Sequence, residues 1–244
     1  MERNSGGGTH SLTTGKESVN MIIYFDLEAV PPNKEDPLLR HVVEKGDEDY
    51  RKLALHSSYA QILCIALVFE ENREIVRREM LGYDRATRRF TLDQREILQS
   101  FWSLLSRFDV RYDLLVGFNI LDYDLHLIAT QSVIHQVRPS QEISFARFRS
   151  APIYDLMWLY TLWRNRISMD EVARVLGIES SKNGGVCGAT VYDHYLAGNH
   201  AEVARYCLAD VLLCREIYYR MKFMGCAAAA GVRPAPTCSE VETV

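Results

Sequence analysis

Asp26 and Glu28 stand one residue apart in the apolar run YFDLEAV, residues 24–30. The overlapping stretch MIIYFDL has the length and composition of a buried strand. Residues i and i+2 of a strand point to the same face, so the two carboxylates project together. Side by side they repel, and carboxylates rarely sit in apolar surroundings unless paired or holding a metal. A divalent cation between them resolves the conflict, and hard oxygen ligands suit Mg²⁺ or Mn²⁺ rather than zinc.

One strand cannot complete such a site. GFNILDYDLHL places Asp122 and Asp124 at the start of a helical pattern, just beyond a short strand. RYCLADVLL places Asp210 on the longest helical pattern of the chain. Tyr206 precedes Asp210 by four residues and shares its helix face. Asp122 reads as the N-cap of its helix.

The elements that must position these groups follow from periodicity. YAQILCIALVFE (59–70) is a second strand, and REIVRREML (73–81) a third, joined through Asn72-Arg73 as a hairpin. Together with the first strand they predict three antiparallel strands in one sheet. TLDQREILQSFWSLLSRF (91–108) is helical, with Thr91 as its expected cap. YDLLVGFN (112–119) is a short strand and DYDLHLIATQSVIHQ (122–136) a helix. Ser168 and Glu171 form a capping box for a helix that Gly177 ends. The last helix spans 199–224. Residues 31–58 read as part loop and part helix, and the glycine-rich stretch 180–190 as a connector. It lacks the Lys-Ser/Thr ending of a P-loop. Strands alternating with helices indicate an α/β fold.

These residues carry a resemblance. FDLEA, then GFN followed by YD, then YCLAD resemble the three motifs of the DEDDy 3′–5′ exonucleases, in the DnaQ-like branch of the ribonuclease H superfamily. The chain is similar to stand-alone relatives of the proofreading domain of family B DNA polymerases, over residues 21 to 222. Each motif alone is weak; three in order on the expected elements are specific. The resemblance implies a ribonuclease H-like α/β fold, a mixed five-stranded sheet with helices on both faces and residues 21–27 at its centre. It implies two divalent ions per site, Mg²⁺ or Mn²⁺, held by Asp26, Glu28, Asp124 and Asp210, with Tyr206 as the tyrosine of the subclass. Asn119 matches the second motif's asparagine. Phe25, Phe118, Tyr123 and the Leu27 backbone are expected against the terminal base or sugar. Ala29 stands where the family commonly has threonine, so that hydroxyl contact is absent.

The implied reaction is hydrolysis of the phosphodiester at the 3′ end of DNA, a single-stranded end favoured, releasing nucleoside 5′-monophosphates. DNA is preferred over RNA because the resemblance is to a DNA proofreading domain. An RNA-trimming exonuclease and a non-catalytic nucleic-acid-binding scaffold are the alternatives. The setting is open among DNA repair, end processing and antiviral defence, and the chain acts alone, as a homo-oligomer or with a partner protein.

Composition fits this reading. With 244 residues, 48% of them hydrophobic, the chain supports one core and one domain, 21–224, between a flexible leader (1–20) and a flexible tail (225–244). No apolar stretch reaches the roughly 20 residues of a membrane span. Six cysteines without a C-x-x-C pair read as reduced packing residues of a cytoplasmic protein. A net charge of −4 argues against bulk nucleic-acid binding, leaving Arg147, Arg149, Arg164, Arg166 and Lys182 as the material for a local basic groove.

Overall fold

β1 (Ile22–Val30) alternates two apolar faces. Tyr24 and Val30 face one core, and Ile23, Phe25 and Leu27 face another. A strand buried on both sides must lie inside a sheet with helices on each face, as the sequence predicts. The computed structural model describes residues 21–35, 39–40, 44, 46–181 and 185–224. The expected leader and tail, and Lys182, fall outside them.

A short helix, α1 (Asp47–Lys52), follows β1. β2 (Gln61–Glu71) then runs antiparallel to β1, and β3 (Glu74–Leu81) antiparallel to β2. Asn72 and Arg73 both have positive φ, 50° and 69°, at the hairpin turn. A small side pair, β4 (Tyr83–Asp84) and β5 (Arg89–Phe90), leads into α2 (Gln94–Leu104). β6 (Leu114–Gly117), α3 (Asp124–Ile134), β7 (Ile153–Asp155) and α4 (Leu156–Tyr160) come next. The chain closes with α5 (Met169–Leu176), α6 (Val191–Leu196) and α7 (His200–Met221). The five-stranded order is β3-β2-β1-β6-β7, with β6 parallel to β1 and β7 parallel to β6. This is a mixed five-stranded α/β sheet with β1 at its centre, as expected.

Local chemistry sets the helix ends. Ser168 accepts the Glu171 N–H and Gly177 closes α5 in the left-handed region at φ 67°, both as expected. The cap of α2 is Asp93, which accepts the Glu96 N–H, rather than Thr91, because the regular helix begins later than its pattern. β7 and α4 come out of the aromatic run 150–163, where periodicity had given no assignment. Cys64, Cys187, Cys207 and Cys214 form no disulfide among the described residues. Among the described residues no helix is long and apolar enough to cross a membrane.

α7 has 22 residues and a length of about 33 Å, and it packs one face of the sheet. A buried polar pin fixes its rotation. Glu70 on β2 is 2% exposed and pairs with Arg215 of α7. The Tyr24 hydroxyl donates to Glu70 at 3.2 Å, the Tyr219 hydroxyl also donates to it, and Arg215 Nη2 donates to the Arg73 carbonyl at 3.1 Å. Arg215 is thereby engaged with Glu70. Removing one partner of such a pair strands a buried charge. Arg215→Ala is expected to cost about 3–5 kcal/mol in denaturant unfolding. A loss below 1 kcal/mol would show that the pin does not hold the helix.

Candidate active site

Beyond Tyr24, β1 loses its β6 neighbour, because the parallel pairing covers only Ile22 to Tyr24. The acidic groups gather where that side of the strand is open. Asp26 and Glu28 fall on the Tyr24 face by alternation, and a bulge between Glu28 and Ala29 shifts the register against β2 there. Bulges redirect side chains and recur beside active sites. From the other side, the Leu27 N–H donates to Asp124 Oδ1 at 3.1 Å. The acid that opens α3 thus docks on the backbone between Asp26 and Glu28. α7 brings in Tyr206, Cys207 and Asp210 across the sheet.

The structure brings Asp26, Glu28, Asp124 and Asp210 together. Ligand atoms of Asp26, Glu28 and Cys207 lie within 4.8 Å of one another. Burial first, and then the charges of Asp124, Asp210 and Glu28, drive the Asp26 carboxyl well above the usual range. Glu28 is raised in the same way, by burial first and then by Asp210. Asp124 rises from 3.8 to about 7 through burial, despite backbone N–H bonds from Leu27 and its own residue that favour the ionised form. Among the described residues no lysine, arginine or histidine forms an ion pair with Asp26, Glu28 or Asp124. A cluster of buried oxygen donors lacking internal cations fits one or more hard divalent ions. The Cys207 thiol is also raised by burial, so it stays protonated, and lies 3.7 Å from Asp26 Oδ2 as a weak donor.

Tyr206 is half-buried, and burial together with Asp210, Glu28 and Asp26 pushes its phenol above the ordinary value. A hydrogen bond with Asp210 contributes in the same direction. The loop between β6 and α3 needs special backbone. Gly117 leaves no room for a Cβ, which would stand 2.7 Å from the Phe25 carbonyl and 2.4 Å from Ile120 Cγ2. Asn119 adopts φ 61°, a region asparagine tolerates. Its Oδ1 is buried with no hydrogen-bond partner among the described residues.

The expected substrate contacts divide. Phe118 and Asn119 are partly exposed in this loop. Tyr123 is partly exposed, but its hydroxyl is fixed on the Ala54 carbonyl at 2.8 Å. Leu27 keeps its side chain in the core, and its N–H is engaged by Asp124. Phe25 cannot meet a base. It is fully buried on the opposite face against Phe101, because alternation sends it away from Asp26. Asp122 is not a helix cap; it pairs with Arg147 and, at 2.8 Å, with Arg166.

One residue went unnoticed in the sequence, and Cys207, read there as a packing cysteine, lies beside Asp26. Asp155 is 1% exposed at the end of β7. Its carboxylate accepts N–H groups from Asn119 at 3.1 Å, Leu121 at 3.0 Å and Trp158 at 3.3 Å. It shapes the loop that delivers Asp124 while capping α4. Its signal was an acid within the apolar run IYDLMW.

Residues 49–230 match the family described as a predicted 3′–5′ exonuclease related to the exonuclease domain of PolB. The chain belongs to this family. The matched span contains Asn119, Asp124, Tyr206 and Asp210 and begins after β1, so Asp26 and Glu28 join the site through sheet geometry. No curated protein matches the chain. Among solved structures, exonuclease I, from a study of how its processivity is achieved, is similar at 10% identity and a TM-score of 0.40. That likeness covers 82% of this chain and 44% of the exonuclease I chain, so the chain spans less than half of it.

The raised carboxyls set a pH dependence. The metal-free folded protein keeps protons that the unfolded chain releases, so its stability falls as pH rises from about 4 to about 7. Divalent cations compete with those protons. At one fixed concentration, Mn²⁺ or Mg²⁺ is expected to raise the melting temperature more at pH 8 than at pH 5, with about 2.7 kcal/mol of stabilisation at pH 8 when that concentration is a hundred times the Kd there. Equal shifts at both pH values, or none, would count against a metal among these carboxylates.

Proposed function

We propose that the protein is a metal-dependent 3′–5′ exonuclease that shortens a single-stranded DNA 3′ end and releases nucleoside 5′-monophosphates. The observation that carries this reading is the convergence of carboxylates from β1, α3 and α7 at the open side of one strand, with no cation of the described chain paired to Asp26, Glu28 or Asp124. Membership in a family related to the exonuclease domain of PolB supports DNA as the substrate.

Asp26, Glu28, Asp124 and Asp210 would hold the divalent ions, Mg²⁺ or Mn²⁺, two in the full site. Bound there, such ions make a coordinated water acidic and neutralise charge developing on the phosphate. The chain's own side chains do the rest. Leu27 N–H and the peptide N–H at Asp124 keep that carboxylate aimed inward. Burial and then the neighbouring acids push the Tyr206 phenol above its ordinary value, which disfavours it as a base; it orients the attacking water by hydrogen bonding. Asn119 Oδ1 offers an acceptor beside the loop, suited to a sugar hydroxyl or a base N–H.

Incubation of 5′-labelled single-stranded DNA with Mg²⁺ or Mn²⁺ is expected to give a ladder from the 3′ end that EDTA abolishes. Asp26→Asn should remove activity, while Tyr206→Phe should lower the rate by only about 10–100-fold. Matched RNA in parallel assigns the sugar preference. Metal-dependent binding without cleavage would favour a scaffold, and a Tyr206→Phe enzyme as dead as Asp26→Asn would overturn the tyrosine's role.

A further inference from the structure

The segment 144–167 holds four arginines, 147, 149, 164 and 166, and a single acid, the buried Asp155. On a chain of net charge −4 this is a local reversal of sign. Arg149 and Arg164 are exposed and make no ion pair among the described residues. Arg147 and Arg166 share Asp122, so the patch keeps an excess of positive charge.

Aromatic rings are interleaved with these arginines. Trp158 and Trp163 stack with centroids 5.8 Å apart and planes 4° from parallel. Phe148 is 76% exposed and sits 5.0 Å from Trp163. The Arg147 guanidinium lies 5.6 Å over the Trp158 ring. Holding this stack costs backbone strain: Phe148, Leu162 and Trp163 have φ of 63°, 53° and 63°. Bulky residues rarely adopt that region, and strain of this kind clusters at functional sites. The Trp163 N–H donates to the Trp158 carbonyl at 2.8 Å, which folds the end of α4 back on itself and lays one indole over the other.

The patch is tied to the acidic cluster. Asp122 lies two residues before Asp124, and both arginines that grip it belong to the patch. Asp155 holds the same loop from beneath and caps the helix that carries Trp158.

We propose that Phe148, Trp163 and the four arginines form a platform for single-stranded polynucleotide, seating the nucleotides 5′ of those at the acidic cluster. This rests on the exonuclease reading, from which the direction of the strand follows. Aromatic faces stack on any base, and guanidinium groups pair with phosphates, so the surface binds without reading sequence. A protein partner would leave the arginines seeking acidic side chains in fixed positions; a polynucleotide supplies one phosphate per base.

The test uses the full chain in EDTA, so that bound strands are not consumed, with fluorescein-labelled oligothymidylates of 4 and 16 nucleotides. The wild type should bind the longer strand more tightly and lose tryptophan fluorescence on binding. Arg149→Glu with Arg164→Glu should weaken binding of the longer strand at least about tenfold and flatten the salt dependence by about 1.4 in log–log slope. Phe148→Ala should weaken it about 5-fold or more. Trp163→Phe keeps a ring and should retain most of the affinity, which separates stacking from a folding defect in Trp163→Ala. Unchanged affinity in the double-arginine and Phe148→Ala proteins overturns the platform. So does a change of oligomeric state in Phe148→Ala with strand binding intact, which would make the surface a protein interface. Cleavage by the wild type in Mn²⁺ is scored separately. A protein that binds through the platform yet never cleaves refutes the exonuclease reading alone. One that cleaves long strands equally well with and without the platform residues refutes the platform alone.

Discussion

Like charges held together in a buried place are the constraint around which this molecule is built. Burial raises Asp26, Glu28 and Asp124; Asp124 adds to the rise of both Asp26 and Glu28, Glu28 to that of Asp26, and Asp210 to that of all three. Left to itself such a cluster would splay apart or take up protons. The fold opposes this by drawing its acids from rigid elements: the central strand, the first turn of a helix and the middle of a 22-residue helix. Hydrophobic packing on both faces of the sheet supplies the force, and the acids occupy the place where the β1–β6 ladder stops.

Two further carboxylates make the arrangement possible without joining it. Glu70 engages Arg215 and two tyrosines to fix how α7 is turned, and with it the direction of Asp210. Asp155 accepts three backbone N–H groups and so dictates the path of the loop from Gly117 to Asp124. The acids of this chain therefore work at two levels, some arranged for chemistry and others spent on backbone and helix geometry. Both kinds are buried, and burial alone does not tell them apart; their partners do. Glu70 and Asp155 are saturated with donors, whereas among the described residues Asp26 has only a weak thiol contact at its carboxylate.

Much of this was legible in the residues. The spacing of Asp26 and Glu28 announced a shared face, and three spaced motifs announced the family. The Asn72-Arg73 hairpin and the Ser168 cap could be read because turn and cap chemistry is local. What escaped was long-range. Asp122 looked like a cap because nothing near it in sequence revealed two arginines 25 and 44 positions away. Phe25 looked available to a base because motif adjacency was weighed above strand alternation. β7 hid in an aromatic run too short for a periodic signal, with its partner strand far upstream.

The bond from Leu27 N–H to Asp124 has an implication for how such a site can drift over generations. It joins two of the motifs through main chain, so a change of side chain at position 27 leaves the donor in place. Only proline, which has no N–H, would erase it. The side chain there is free to follow the needs of the core it packs in, and the tether between strand and helix is inherited with the fold itself.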